Sequence, residues 1–380
     1  MAMSLKKFFQ KASYWLPRYF SRAIQQSLSN GLAWSYGQAS PVLKNATAAP
    51  LRQLQKLYNL FQDTGKGQIY LLKGRESNSG LPITVALTGL WGFGQRNSVL
   101  SSQRLVFGGG EVECVDLGSF PMWKVRQQTE VVASQADLVM VNANPLLMWA
   151  PTSGDWAQGP EALRMVFEYP PGESWEQVEQ RFKGHKENLR RMRKKNYTYR
   201  ISRNEEDFTT YYYHYYLPMV QNRHKNYGDI DNESGLREVF RREGFILFVE
   251  DEQGQAVSAA LNSINRNVYF GLLAGIRDGN AELWKRGALT AVYYFSLHHG
   301  WKMGCRRIDA GVCLPFSSDG VFQHKRLWGY EPILDDWHPI SLLLWAPHSA
   351  APALAWMAAH PFLPQYARQG GPYTPTIHIS

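Results

Sequence analysis

The second half of the chain contains an order of secondary-structure patterns that few folds accommodate. Residues 245–276 predict three consecutive strands, because their apolar runs are separated by the turn sequences DEQGQ and NRN. Residues 284–299 then predict a helix that contains Gly287 near its start, and residues 305–310 predict another strand. A strand meander followed by a helix and a further strand predicts a mixed sheet covered by helices, in the α/β or α+β class.

Neighbouring segments extend this pattern. Residues 165–170 predict a strand, and residues 174–196 predict one long helix with a capping box at Ser174. Residues 207–227 predict another helix, which carries a tyrosine-rich run at 211–216. We expect this run in the core and in a cleft wall rather than on a nucleic-acid stacking surface.

The first half predicts a second, smaller lobe. Strand-like runs occupy residues 68–74, 81–94, 103–109 and 136–144, after a helix predicted at 51–62. The predicted organisation is a basic amphipathic segment with a linker (1–45), a first lobe (46–164) and a second lobe (165–380). No motif in the first lobe points to a particular chemistry.

The net charge of +9 favours phosphate-rich partners or an anionic membrane surface. With 3 cysteines the chain has too few for a disulfide framework, which favours a reduced compartment. No apolar run is long enough to span a membrane, and no signal peptide is evident. We therefore expect a cytoplasmic protein, either free or bound peripherally to the inner face of the membrane.

Residues 1–30 combine lysines and arginines with aromatic residues and contain no acidic residue. Such a segment is typical of a helix lying in a membrane interface, contacting anionic lipid or nucleic acid. It is equally typical of a helix that packs on the body of the protein with its basic side chains in water. Both interpretations stay open.

The histidines point to structure rather than to metal binding. His298 and His299 end the helix predicted at 284–299, where the helix dipole favours a cationic imidazole. His185, His214 and His224 lack the spacing of metal ligands, so no metal site is predicted.

Three segments of the second half carry candidate functional residues. The helix before residue 197 is strongly basic and includes Asn188, Arg190, Arg191 and Lys194, a composition that fits a solvated basic face or the binding of an acidic ligand. Arg286 and Gly287 stand at a predicted helix start, where backbone amides bind anions. Residues 306–332 have a strand end D-x-G followed by D-G-V-x-x-x-K-x-x-W-G. The residues of this pattern are Asp309, Gly311, Asp319, Gly320, Val321, Lys325, Trp328 and Gly329.

Together these segments resemble the FemAB family of transferases and its BioF2-like relatives, within the Gcn5-related N-acetyltransferase superfamily. The resemblance covers about the second half of the chain. Asn196 replaces the glycine usual after the basic helix, and asparagine also tolerates a left-handed backbone. His324 stands where phenylalanine or tyrosine is common. The resemblance implies two Gcn5-like lobes, of which 46–164 would be a degenerate copy.

The resemblance also implies roles. Lys325 corresponds to the lysine to which FemAB transferases assign stabilisation of the oxyanion, and Asp309 and Asp319 are candidates for taking the proton of an attacking amine. Substrate-binding candidates are Asn188, Arg190, Arg191, Lys194, Arg286, Gly287 and Trp328. Because only Arg286 and Gly287 fit the usual coenzyme A loop, the departure disfavours ordinary acetyl-CoA.

The expected reaction is amide formation on an amine of a phosphate-bearing precursor, such as a nucleotide sugar or a cell-wall or envelope peptide. The donor would be acyl-CoA or aminoacyl-tRNA, with no tightly bound cofactor. The alternative is a non-catalytic protein that binds RNA or a membrane through its basic segments, on a degenerate transferase fold. A scaffold role in an envelope complex is a third hypothesis.

Overall fold

The computed structural model describes residues 65–90, 99–182, 184, 186–224, 232–334, 340–363 and 366–368. The predicted segment 1–45 and the helix predicted at 51–62 lie outside these residues. The described chain is an α/β fold of two seven-stranded mixed sheets flanked by helices, which confirms the predicted fold class. Within the described ranges, no helix has the length and apolar composition needed to cross a membrane.

The bounds of the elements are as follows. The strands are β1 (Lys66–Arg75), β2 (Pro82–Gly89), β3 (Glu113–Pro121), β4 (Leu138–Ala143), β5 (Asp155–Pro160), β6 (Leu163–Glu168), β7 (Thr198–Ser202), β8 (Gly244–Glu250), β9 (Ala256–Asn265), β10 (Val268–Ile276), β11 (Arg307–Cys313), β12 (Glu331–Leu334), β13 (Ser341–Ala346) and β14 (Tyr366–Arg368). The α-helices are α1 (Val99–Phe107), α2 (Val125–Ala133), α3 (Trp175–Gln180), α4 (Lys186–Arg193), α5 (Glu205–Tyr211), α6 (Leu217–His224), α7 (Glu233–Glu243), α8 (Ala281–Lys285), α9 (Ala288–Lys302), α10 (Gly320–Leu327) and α11 (Ala351–Ala359). A π-helical turn (Tyr212–Tyr216) joins α5 to α6.

The two sheets have related but different strand arrangements. The first has the order β14-β5-β13-β4-β2-β1-β3 and the second the order β12-β6-β11-β10-β9-β8-β7. Each has a parallel pair, β2 with β4 and β10 with β11, beside antiparallel neighbours. Each half of the chain also contributes a strand to the other sheet: β6 lies between β11 and β12, and β13 lies between β4 and β5.

This exchange changes the predicted lobe boundaries. Residues 165–380 were assigned to the second lobe, but β13 and β14 belong to the first sheet. All six residues of β13 are buried, so this strand needs neighbours on both edges and cover on both faces. Its place between β4 and β5 provides both.

The second sheet has a core on each face. On one face Phe245, Leu247 and Tyr269 pack with residues of α3, α4 and α9. The opposite face packs against α5, the π-helical turn, α6 and α7. The buried tyrosines of this second core are Tyr211, Tyr212, Tyr215 and Tyr216, which confirms the expectation that the tyrosine-rich run is core.

Local predictions succeeded where capping residues fix the backbone. The capping box at Ser174 forms with Gln177, and Asn196 has the left-handed φ of 45°.

The long helix predicted at 174–196 is wrong, because α3 and α4 are separated around Gly184. Its N–H donates to the Leu327 carbonyl at 3.2 Å, and a Cβ there would lie 2.1 Å from the Leu327 side chain.

The strand predicted at 103–109 is also wrong. Its residues through Phe107 belong to α1, and Ser102 and Val106, one helical turn apart, are both buried. The helical spacing of buried positions therefore outweighs the strand preference of the short run Leu105–Phe107, as tertiary context commonly does.

Candidate active site

The parallel strands β10 and β11 separate soon after they meet. Their pairing ends at Phe270 and Asp309, although β10 continues to Ile276 and β11 to Cys313. Beyond that point the two strands share no ladder with each other. We call the space between residues 271–276 and residues 310–313 the strand opening.

A bulge marks each strand where the opening begins. The pairing of β10 with β9 shifts between Gly271 and Leu273, and the pairing of β11 with β6 shifts between Asp309 and Val312. Bulges bend a strand and re-aim its side chains, and they are frequent next to active sites. Backbone groups along separated strand edges are suited to binding an extended ligand.

Asp309 holds the bulge of β11 in place. Its carboxylate is buried and accepts two hydrogen bonds from Arg164 Nη1, at 2.9 and 3.1 Å, and one from the Gly311 N–H at 2.9 Å. Arg164 lies on β6, the strand contributed by the first half of the chain. Asp309 thus caps the bend of β11 through the Gly311 N–H, and both of its carboxylate oxygens are engaged by Arg164.

Lys325 is buried on α10, and its Nζ donates to the carbonyl oxygen of Val312 at 3.0 Å. Lysines are rarely buried unless their charge is compensated, so this position is unusual for a surface residue type. Val312 lies on the β11 edge of the strand opening. The structure thus places the ammonium group of Lys325 within hydrogen-bond distance of the β11 edge of the strand opening.

Asp319 and Cys313 share the surroundings of Lys325. Asp319 is the N-cap of α10 and accepts from the Phe322 N–H at 2.9 Å. Burial raises the pKa of Asp319 above its ordinary value, and burial raises the pKa of the Cys313 thiol to about 12. The positive charge of Lys325 lowers both pKa values and so opposes these shifts.

The remaining residues of the pattern serve packing. Trp328, a predicted substrate-binding residue, is instead completely buried against Phe182 and Tyr293. Gly329 has a φ of 83°, and a Cβ there would lie 2.9 Å from the Arg181 carbonyl oxygen. The ring of His324 packs edge-on against Tyr293 at 5.0 Å, so it supplies the aromatic contact expected at this position.

Part of the positive charge of the basic helix α4 is paired with two glutamates, Glu187 on α4 and Glu179 on α3. Glu187 accepts hydrogen bonds from Arg190 and Arg191, which lower its pKa to about 2. Arg193 pairs with Glu179 at 2.6 Å. Lys194 is exposed at the helix end. Glu187 and Glu179 thus offset two of the six lysine and arginine charges in residues 186–195.

The structure brings the first two predicted segments together. Gly287 is the N-cap of α9, with a φ of 86°, and a Cβ there would lie 3.6 Å from the Met192 backbone nitrogen and 3.8 Å from the Asn188 carbonyl oxygen. Arg286 is exposed beside it. The N-terminus of α9 and the basic helix α4 therefore form one surface.

His298 and His299 lie before the end of α9, which continues to Lys302. Burial lowers the pKa of His299 to about 4, with a further contribution from the charge of Lys302, and burial also lowers the pKa of His298. Both rings lie in aromatic clusters. The predicted cationic imidazoles are therefore wrong, because desolvation outweighs the helix dipole here.

Several site features escaped the sequence. Arg164 is separated from Asp309 by 145 positions, so only the sheet order reveals their pairing. Asn262 is buried on β9 beside the strand opening.

A cavity of about 360 Å³ lies at the end of β10, lined by Met219, Asn222, Ile276, Gly279, Ala281, Trp284 and Lys285. In the described part of the chain, no group of three acidic, histidine or cysteine side chains could hold a metal ion.

Comparison with known proteins gives structural matches alone. No protein-family model matches the sequence, and no curated protein matches it. Among solved structures, FemX has a TM-score of 0.38 at 9% identity, over 76% of this chain and 90% of FemX.

Two further matches have similar values. L-PGS from Bacillus licheniformis has a TM-score of 0.31 at 9% identity, over 75% of this chain and 86% of that one. A GCN5-related N-acetyltransferase from Sphaerobacter thermophilus has a TM-score of 0.30 at 12% identity, over 69% and 71%. Identities and TM-scores this low do not establish what the present chain acts on.

Proposed function

We propose that the second lobe transfers an acyl or aminoacyl group from an activated ester or thioester to an amine. The observation that carries this proposal is the strand opening with Lys325 buried behind its β11 edge. An opening bounded by two bulged strand edges gives a place for an extended donor. A buried cation beside it gives a group that stabilises developing negative charge.

The proposed reaction starts when the amine nitrogen attacks the carbonyl carbon of the donor. A C–N bond forms, and the carbonyl oxygen becomes an oxyanion that the ammonium group of Lys325 stabilises. Collapse of this intermediate breaks the C–O or C–S bond, and the amine's proton goes to the leaving group. Asp319, with its raised pKa, is the better placed of the two predicted acids to relay that proton, since Asp309 is paired with Arg164.

Both candidate donors, acyl-CoA and aminoacyl-tRNA, carry phosphates. We place the phosphate contacts where α4 meets the start of α9, through the exposed side chains of Arg286 and Lys194. The acceptor would be an amine on a phosphate-bearing precursor such as a nucleotide sugar, or on an envelope peptide.

The test combines a donor panel with a Lys325→Met variant. Purified protein is incubated with acetyl-CoA, palmitoyl-CoA or charged bulk tRNA, and with lysine, an amino-sugar nucleotide or a lysine-containing peptide. Amide products are followed by mass spectrometry. We expect Lys325→Met to lower the rate by about 10²–10³-fold. Lys73→Met, at a half-exposed lysine of the first lobe, is the matched control.

Lys325→Met keeps the aliphatic stem, so its melting temperature separates folding from chemistry. A folded variant that transfers at the wild-type rate would contradict the oxyanion role. The alternative, a non-catalytic RNA- or membrane-binding protein, predicts salt-dependent binding to RNA or anionic vesicles that Lys325→Met leaves unchanged. The internal pairing of the α4 arginines with Glu187 and Glu179 gives this alternative less support than the sequence did.

A further inference from the structure

Asn262 on β9 has a buried acceptor atom that no described residue uses. The residue is fully buried, and its Nδ2 donates to the Ala260 carbonyl oxygen at 3.0 Å. Its Oδ1 has no hydrogen-bond partner within the described chain. Because a carbonyl oxygen can only accept, Nδ2 must be the atom that faces Ala260. The amide orientation is therefore fixed, and the unmatched atom is the acceptor.

An unmatched buried acceptor is unfavourable for folding. Native proteins satisfy most buried polar side-chain atoms, and the exceptions commonly occur at functional positions. An apolar side chain of similar shape would fit this position without that penalty. Asn142 in the first lobe is buried in the same way, so the position of Asn262 beside the strand opening, and not the unmatched atom alone, points to a ligand.

Gly271 opens the approach to this acceptor. It is the β10 residue paired with Asn262, and it is the first residue of the strand opening. A Cβ at Gly271 would lie 4.0 Å from Asn262 Oδ1 and 3.9 Å from the Asp309 carbonyl oxygen, with nothing nearer. Gly271 is also partly exposed. Since Gly271 has no side chain, no side-chain atom of this residue fills the space next to Oδ1 on the side of the opening.

We propose that Asn262 Oδ1 binds an N–H of the acceptor's primary amine, next to the carbonyl oxygen of Asp309. This inference rests on the proposed transferase function and names the part of the site that receives the amine. Two oxygens beside one glycine suit a group with more than one N–H and disfavour carboxylates and phosphates. An amine held through its N–H groups directs its lone pair away from these oxygens, into the opening where the donor carbonyl would lie.

Two variants and a matched control test the assignment. Asn262→Leu removes the acceptor but keeps the side-chain size, so we expect an unchanged or higher melting temperature. Gly271→Ala keeps Asn262 and fills the approach, and the φ of Gly271 lies outside the left-handed region. Asn142→Leu is the control, because Asn142 is also fully buried and neither polar atom of its side chain has a partner within the described chain, but it lies in the first lobe.

Binding is measured by saturation-transfer NMR with n-butylamine, and with n-butyltrimethylammonium as the cation that has no N–H. We expect the wild type and Asn142→Leu to bind n-butylamine in preference to the quaternary amine. Asn262→Leu and Gly271→Ala should weaken n-butylamine binding about tenfold or more. Absence of n-butylamine binding by the wild type, equal binding of the two amines, or undiminished binding by Asn262→Leu would each overturn the proposal.

A second readout separates this inference from the proposed function. If Asn262-dependent amine binding is found but no donor supports transfer, the amine site stands and the transferase proposal fails. If transfer depends on Lys325 but Asn262→Leu keeps the wild-type KM for the amine, the transferase proposal stands and the amine site fails.

Discussion

Each of the two lobes has one parallel strand pair in its sheet, and the two pairs end differently. In the first lobe β2 and β4 stay paired as far as Gly89 and Asn142, and the Leu90 N–H continues the contact by donating to the Asn142 carbonyl oxygen at 2.8 Å. In the second lobe β10 and β11 separate after Phe270 and Asp309.

Two glycines show what makes the difference. A Cβ on Gly89 would lie 1.9 Å from the Asn142 carbonyl oxygen, so this glycine allows two strands to approach closely. Gly271 has no neighbour that near, and it leaves space for a ligand. The closed pair thus has a glycine at a close strand contact, and the open pair has a glycine with space around it.

The largest expected loss of stability comes from removing the Asp309 carboxylate, which holds the β11 bulge beside the open strand pair. Asp309→Ala leaves the Arg164 guanidinium buried without its carboxylate and releases the Gly311 N–H. We expect a loss of about 3–5 kcal/mol in the free energy of unfolding, measured by urea denaturation. Glu113→Gln, which breaks the exposed pair with Lys73, is the control and should cost less than about 1 kcal/mol. A loss of similar size in both variants would contradict the framing role.

The next effect would force the closed pair apart. Gly89→Ala introduces a clash with the Asn142 carbonyl oxygen at a φ of 110°, a backbone conformation that alanine disfavours. We expect a loss of about 2–4 kcal/mol in the free energy of unfolding. Gly271→Ala should change it by less than about 1 kcal/mol. If the two alanine variants were equally stable, the contrast between the closed and open pairs would be wrong.

A smaller expected effect is a difference between the two lobes in how their stability depends on pH. Burial lowers the pKa of His299 to about 4, from an ordinary value of 6.5. Between these values the unfolded chain binds more protons, so the stabilisation is complete above 6.5 and is lost as the pH falls towards 4. Because the ring is partly exposed and solvent screens its charge, we expect about 1 kcal/mol.

Hydrogen exchange measures this loss by lobe. Protection in α9 should fall more than protection in α11 when the pH is lowered from about 7 to about 5. His299→Phe should remove most of the change in α9. Equal loss of protection in the two helices, persisting in the variant, would argue against a role for His299.

The smallest effect concerns the surface beside the opening. Glu187→Gln frees Arg190 and Arg191 from their shared carboxylate, and because these side chains are exposed we expect little change in stability. If the α4 surface binds phosphates, the variant should bind inorganic pyrophosphate more tightly, as measured by calorimetry. The control is Glu113→Gln, which changes the net charge equally in the first lobe. Equal gains in both variants would indicate only a general charge effect.

The sequence predicted what depends on local order. The meander, the helix that follows it, the capping box at Ser174 and the left-handed Asn196 all follow from residues within a few positions of one another. The place of β13 in the first sheet could not be predicted, because a buried strand sequence such as SLLLWA fits any central position in a sheet.

The candidate site, like the fold, was predicted from the sequence only in its local features. Residues 306–332 drew attention to Lys325, and the structure places this lysine behind the opening. The opening itself depends on strand register, which local sequence does not specify when both faces of a strand are buried. Trp328 is the opposite case. This aromatic residue of the D-G-V-x-x-x-K-x-x-W-G pattern was assigned to binding, and the structure places it in the core.

The exchanged strand β13 has a consequence for synthesis of the protein. The ribosome completes β4 and β5 long before it makes residues 341–346, which lie between them in the finished sheet. The first lobe therefore cannot reach its final form co-translationally, although amino-terminal domains commonly do. A fragment that stops between the lobes would expose two unpaired strand edges, so the chain is expected to mature, and to be degraded when truncated, as one unit.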